Sequence, residues 1–401
     1  MGIGSMQKNS ILFLTNSYPD FEFSYRGIFI KQMGSLLQRE GYQISVVTPK
    51  IYKRSLYFEE QDGINVYRFP FFAKDKLLIE YRKIPYVKMI FYYLTGFLWT
   101  FWGVLRNRCE MIHVHWAIPT GLIGVLVGKL LKKPVIVTIH GSDFRMATEG
   151  SKLLKKIFLY VCHGSKQILC VSKLQAKEIE NMGVKEVKIS TLPMGIEESF
   201  LEAGRNRRGK SKCQEYTILS NRNLLPIYNV CLLIRAIPMV LQEIPGTNFL
   251  IVGEGAEKEA LEREVENLNI NSSVKFLGRV PHEEMPGLLS QVDIYVSTSH
   301  YDGTSVSLLE AMGSGAFPIV TDIPANREWI TNGQNGFLVP IDEEKYLANR
   351  IVDAIRDPRL LEKARIENLS IVEKALWPAN IEKRSSRPSI GMSGPPPVRH
   401  V

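Results

Sequence analysis

Short apolar runs alternate with helical patterns along most of this chain, and that alternation constrains the fold more than any other feature. Ile11–Thr15, Ile44–Thr48, Ile64–Phe69, Met111–His115, Val135–His140, Ile168–Val171 and Val187–Leu192 are short and β-rich. Between them lie helical stretches such as the one opening at Gly27, with Phe29, Met33, Leu36 and Leu37 on one face, and the Gly- and Leu-rich run Gly121–Leu131. A second set follows: Tyr216–Ser220, Asn248–Val252, Val274–Leu277, Val292–Thr298, Ala316–Thr321 and Gly336–Val339, with helices over Val230–Val240 and Glu257–Leu268. Strands that alternate with helices build βαβ units and a parallel sheet. Two such sets in 401 residues predict two α/β domains, each with its own core.

The pattern breaks at residues 197–215. Gly204 to Lys212 is polar, basic and poor in hydrophobes, which predicts an inter-domain linker. The expected organisation is a first Rossmann-like domain at 1–196, the linker at 197–215 and a second Rossmann-like domain at 216–370. A C-terminal helix at 371–384, returning to the first domain, and a disordered tail at 385–401 with its Pro395–Pro397 run complete it. The apolar and aromatic stretch Ile84–Leu105 stands out. A core helix is its first reading and an interfacial helix on an anionic membrane the second. A membrane span is the third, because Pro85 and Lys88 interrupt the run and a span would remove a helix the domain needs.

Charge is uneven. Residues 1–200 carry 27 Lys and Arg against 16 Asp and Glu, whereas the remainder carries 23 against 25. A basic first half suits an acidic partner or is a solvated surface. The basic linker has no interleaved aromatics, which argues against a nucleic-acid partner. The five cysteines include no Cys-x-x-Cys pair, which predicts a reducing compartment with neither a disulfide framework nor a cysteine zinc site. No signal-peptide pattern opens the chain, so the expected location is cytoplasmic, with peripheral attachment to the inner face of the plasma membrane as an extension.

Chemistry concentrates after strands. Between Thr298 and Ala316 lies Ser299-His-Tyr-Asp-Gly-Thr-Ser-Val-Ser-Leu-Leu-Glu-Ala-Met312. Gly303, Thr304 and Ser305 fall where a helix begins, and a helix start offers unpaired amides to an anion. Asp302 and Glu310 bracket it. Asp302 suits sugar hydroxyls, and Glu310, some ~8 Å along the helix, suits a ribose diol. Arg222 follows the first strand of the second set, where a guanidinium can grip a diphosphate. His113, His115 and His140 lie at strand ends of the first set, and Arg26-Gly27 opens its first helix. Each taken alone is as easily structural: a wet helix Glu, a surface Arg, a packed His.

Together these segments resemble family 4 of the nucleotide-sugar glycosyltransferases, the retaining enzymes of GT-B architecture, over about Ile11 to Trp377. The resemblance rests most on Asp302–Met312, with Gly315, Pro318 and Asn335-Gly336 after it, and on Tyr18-Pro19, Arg26-Gly27, His113-x-His115 and His140-Gly-Ser-Asp143. It implies two Rossmann-like parallel-sheet domains facing each other across a cleft. It implies a hexose moved from a nucleotide-diphosphate sugar to a glycan or lipid-linked glycan, in cell-surface polysaccharide synthesis. His140, Glu310 and Asp302 would be catalytic. Arg222, Asn229, Val280, Gly303, Thr304, Ser305 and Leu309 would hold the donor. Arg26, Gly27 and His115 would contact acceptor or phosphate. No metal or other cofactor is implied, since cationic side chains and helix amides take the leaving charge. Two departures from the family pattern stand here: Asp302 where Glu is usual, and Tyr228-Asn229 where a phosphate-binding Lys is expected. A nucleotide-sugar epimerase of the same fold and a non-catalytic glycosyltransferase-like subunit are the alternatives.

Overall fold

The computed structural model describes residues 10–21, 24, 26–73, 75, 85–207 and 215–376. The expected tail, the end of the C-terminal helix beyond 376 and linker residues 208–214 lie outside them. Two compact units divide the chain, Met1–Pro193 and Met194–Val401.

The first unit is wound around an eight-stranded sheet. In chain order it runs β1 (Ser10–Leu14), α1 (Ile28–Arg39), β2 (Gln43–Lys50), β3 (Phe58–Gln61), β4 (Ile64–Pro70), α2 (Tyr86–Arg106), β5 (Met111–His115), α3 (Leu122–Leu131), β6 (Val135–Ile139), α4 (Ser142–Thr148), α5 (Lys152–Gly164), β7 (Gln167–Cys170), α6 (Lys173–Asn181) and β8 (Ile189–Thr191). The sheet order is β3-β4-β2-β1-β5-β6-β7-β8, parallel except for β3 against β4. That pair turns through Asp62-Gly63, both at positive φ, as a tight hairpin requires. β1, β6 and β7 are buried at every position, as strands covered on both faces should be.

The second unit opens with α7 (Glu198–Arg205) and then builds β9 (Thr217–Ser220), α8 (Val230–Glu243), β10 (Asn248–Val252), α9 (Lys258–Asn267), β11 (Val274–Gly278), α10 (Met285–Leu289), β12 (Ile294–Ser297), α11 (Val306–Gly313), β13 (Phe317–Thr321), α12 (Pro324–Arg327), β14 (Phe337–Val339), α13 (Glu344–Arg356) and α14 (Pro358–Glu373). Its sheet, β11-β10-β9-β12-β13-β14, is parallel throughout.

The stretch expected as linker is thus a helix at its start. Phe200 and Leu201 of α7 are fully buried in a core shared with Ala311, Met312 and Val372. Gly204 lies so near the Gly313 carbonyl that a Cβ there would stand 2.2 Å from the oxygen. Arg207 then donates to the Gly315 carbonyl at 2.8 Å and to Asp293 at 3.0 Å, fastening the chain to the second sheet. The last described helix, α14, packs in this same layer of the second unit. Its start was legible: Asp357 accepts from the Leu360 amide at 3.0 Å, with Pro358 in the first turn.

Candidate functional site

Open parallel sheets bind ligands beyond the carboxyl ends of their strands, where the winding reverses direction. In the second unit that point lies between β9 and β12, and the loops following these two strands hold most of the expected donor residues.

Ser305 is the N-cap of α11, its hydroxyl accepting from the Leu308 amide at 3.3 Å. The same hydroxyl accepts from Arg222 Nη1 at 2.9 Å. Arg222 Nη2 donates to Asp302 Oδ2 at 2.7 Å, and Asp302 Oδ1 takes the Gly303 amide at 3.0 Å. The Arg222 guanidinium also lies 4.3 Å from the Tyr228 ring centroid. Burial works against its charge. Asp302, Tyr295 and Tyr228 outweigh that and raise its pKa, so it is a permanent cation at the start of a helix. Sequence reasoning assigned Asp302 to sugar hydroxyls. In the structure Asp302 is the counterion of Arg222, an ion pair between residues 80 positions apart.

Glu310 sits inside α11 with its side chain only 12% exposed. Burial, reinforced by Glu197 and opposed by Arg222, pushes its pKa up to about 8. His282 Nε2 lies 3.7 Å from its carboxylate and packs against Phe200. Neither His282 nor Glu197 was singled out from sequence; both sit among other charged residues and carry no pattern of their own.

Asn229, in the left-handed region at φ 46, stands before α8. Its amide donates to Asp342 at 2.8 Å, and His300 reaches the same carboxylate at 2.8 Å. Thr298 donates to the Asn229 carbonyl at 2.7 Å and the His300 amide to the Ile227 carbonyl at 2.9 Å. These bonds tie the loop after β9 to the loop after β12. Asn229 is therefore engaged in a clamp with His300 and Asp342 rather than left to replace a lysine. Leu309 is also corrected: it is fully buried in the core, so its side chain has no face for a donor. Val280 lies in the loop after β11, half-buried against that same core. Gly303 and Thr304 stand as expected, ahead of the helix.

In the first unit the winding reverses between β1 and β5. His115 ends β5 and His140 follows β6. Their rings meet, His115 Nδ1 lying 3.1 Å from His140 Nε2. Behind them His113 stacks on His115 with centroids 4.4 Å apart and bonds Thr138 at 2.8 Å. Trp116, centroid 4.4 Å away, and Phe29, 5.2 Å away, pack on His140. Burial lowers the His140 pKa to about 3, so the ring is neutral at any ordinary pH. His115 is fully buried and supports His140 from behind, which corrects the expected contact with acceptor or phosphate.

Asp143 sets the backbone under this cluster. Fully buried, it accepts from Ala117 N at 2.6 Å and from the amides of His140 and Gly141, each at 3.1 Å. Burial raises its pKa to about 6 in spite of these donors. Arg26, expected to contact acceptor or phosphate, forms an ion pair with Asp20, which also faces buried Arg68 at 3.8 Å. Gly27 caps α1 at φ 63, and a Cβ there would meet the Ser17 carbonyl at 2.2 Å, so only glycine fits.

Two family models match this chain. One, described as Glycosyltransferase Family 4, covers residues 27–200, and the other, Glycosyl transferases group 1, covers 205–369. The chain belongs to the family 4 glycosyltransferases. This glycosyltransferase is 25% identical, over 63% of its length and 68% of the relative's, to the UDP-Gal:alpha-D-GlcNAc-diphosphoundecaprenol alpha-1,3-galactosyltransferase of Escherichia coli. It is 26% identical, over 78% of its length and 81% of the relative's, to the putative teichuronic acid biosynthesis glycosyltransferase TuaC of Bacillus subtilis. Among solved structures, sucrose-phosphate synthase from Thermosynechococcus elongatus superposes with a TM-score of 0.74 at 16% identity, over 94% of this chain and 98% of that one. The fold is GT-B, two Rossmann-like domains.

Proposed function

We propose that this glycosyltransferase moves a hexose from a nucleoside-diphosphate sugar to a glycan or lipid-linked glycan in cell-surface polysaccharide synthesis. It does so with retention of anomeric configuration, in the cytoplasm at the inner face of the plasma membrane. The observation that carries the reading is Arg222, a buried and permanently charged guanidinium held by Ser305 at the start of α11. A cation and first-turn amides converging at a sheet's switch point suit a diphosphate. The donor class is supported by the E. coli relative, whose name gives UDP-galactose and a diphosphoundecaprenol acceptor. The polysaccharide assignment is supported by the teichuronic acid relative.

In this reading Arg222 and the α11 amides stabilise the departing nucleoside diphosphate, which lets the reaction proceed without a metal. Glu310 accepts hydrogen bonds from the ribose diol, Val280 borders the base, and Gly303, Thr304 and Ser305 line the diphosphate. Asp302 fixes the Arg222 fork instead of touching the sugar. For His140 we propose contact with the transferred sugar; a neutral imidazole can donate and accept without repelling a sugar that gains positive charge at C1.

A panel of nucleotide sugars tests this by thermal shift and by product formation. One UDP-, GDP- or ADP-linked hexose should raise the melting temperature and be consumed only when an acceptor is added. Sugar isomerised without acceptor would instead establish an epimerase. Failure of every nucleotide to bind would establish a non-catalytic subunit.

A further inference from the structure

The helix α2 has two faces, and both are apolar. Tyr92, Gly96, Thr100, Gly103 and Val104 turn inward and are buried. Every exposed position from Tyr86 to Leu105 is nevertheless aliphatic or aromatic, and Ile90, Leu94, Leu98 and Leu105 are each more than half exposed. With exposed Trp102 these recur at three- and four-residue intervals, so they form one stripe of about 20–25 Å along the helix. Loops extend it: Phe72, 59% exposed, meets Phe91 at 5.2 Å, and Tyr57, 51% exposed, meets Trp99 at 6.2 Å. Soluble surfaces rarely keep so much contiguous apolar area without a partner.

The surround is cationic. Arg106 and Arg108 are exposed at the end of the stripe, the Arg106 guanidinium lying 5.2 Å from the Trp102 ring. Lys53 and Arg54 are exposed beside Tyr57, and so are Lys129 on α3 and Lys132 at its C-terminal cap, α3 being a helix that packs against α2. From Tyr86 to Lys133 there are six Lys and Arg and one acidic residue, Glu110. No described helix is long and apolar enough to cross a membrane.

We propose that the outer face of α2 is a membrane-docking surface that lies flat on an anionic bilayer, with Leu94, Leu98 and Trp102 entering the headgroup boundary and the basic rim engaging acidic lipid. An apolar stripe ringed by cations matches a negatively charged lipid surface in both hydrophobicity and sign. The inference rests on the peripheral placement proposed above and adds the surface that makes it.

Vesicle flotation tests it, using the full chain and vesicles of phosphatidylcholine with and without phosphatidylglycerol. The wild type should float with the anionic vesicles at low salt, and Trp102 emission should shift to the blue, a change lost in Trp102→Phe. Leu94→Glu with Leu98→Glu should lower partitioning by about tenfold or more. Arg106→Glu with Arg108→Glu should lower it at low salt, with the difference shrinking near ~0.5 M salt. All these positions are exposed, so unchanged melting temperature and nucleotide binding in the second unit would certify the variants and separate this outcome from failure of the donor assignment. A wild type that ignores anionic vesicles, or a Leu94/Leu98 variant that binds them fully, would overturn the proposal. So would a dimer in solution that the Leu94/Leu98 variant dissociates, because the stripe would then be covered by a second copy.

Discussion

The two sheets reverse their winding in the same way, yet the loops at the two reversal points carry opposite chemistry. After β9 and β12 a guanidinium, its counterion and a buried glutamate gather around a helix start. At the ends of β5 and β6, with α1 beside them, rings gather: three stacked histidines, a tryptophan and a phenylalanine, with a neutral imidazole among them. The two buried carboxylates among the described residues there are both taken up, Asp143 by backbone amides and Asp20 by the Arg26 guanidinium. Topology therefore supplies a place for a ligand, and loop residues decide what it is. A charged site binds a charged leaving group, and a neutral, ring-lined one suits a sugar.

The largest test of that contrast is Arg222→Ala. It should weaken nucleoside-diphosphate binding by about 100-fold or more, as loss of a buried charge-assisted donor does, and leave Asp302 without its counterion. Arg222→Lys should recover part of the loss. Calorimetry with UDP, GDP and ADP checks both; unaltered affinity in Arg222→Ala would place the donor elsewhere.

Glu310 sharpens the same side. Its pKa of about 8 lies above the ordinary value of 4.5, so the folded protein holds a proton that the unfolded chain has released between those limits. Folding stability attributable to Glu310 should therefore fall as pH rises from 4.5 towards 8. Glu310→Gln should melt higher than wild type at alkaline pH and alike in acid. A ribose diol needs the carboxylate as acceptor, so wild-type UDP affinity should weaken below pH 8, by at most about tenfold per pH unit, and the Gln variant should bind weakly with a flat profile. A flat profile in the wild type would remove Glu310 from the ribose.

The smallest effect belongs to the neutral side. Asp143→Asn can satisfy only some of the three amides and turns its own donors toward the rest, which costs about 2–3 kcal/mol of stability. It should lower the transfer rate through a displaced His140 while UDP affinity stays unchanged. A loss of UDP affinity equal to that of Arg222→Ala would dissolve the distinction between the two sides.

Most of this was legible where burial is complete. Strands such as β1, with Ile11 to Leu14, and β6, with Val135 to Val137, show as apolar runs because both faces of the sheet are covered there. β3 was not foreseen, since Phe58 to Gln61 is a half-exposed edge with no apolar face, and only the Asp62-Gly63 turn marked it. The helix α7 was read as linker because Arg205 to Lys212 hid Phe200 and Leu201 just before them. In the site, residue types were readable and pairings were not. That Arg222 meets Asp302, or that Asn229 meets Asp342 113 positions away, follows from strand order rather than local pattern. Leu309 was placed at the site by its position next to Glu310, and local pattern did not reveal that α11 turns its side chain into the core.

The close seating of α7 bears on how this molecule can be dissected. A fragment cut at Glu215, where the second sheet begins, would look like a whole domain by strand content. It would lack Phe200, Leu201 and the Arg207 anchor, and would open Ala311 and Met312, the inner side of the helix that carries Glu310, to water. A faithful half has to begin ahead of Ile196, whose backbone bridges to Leu376 near the last described helix. The piece of chain between the sheets is in effect a structural wall of the second one.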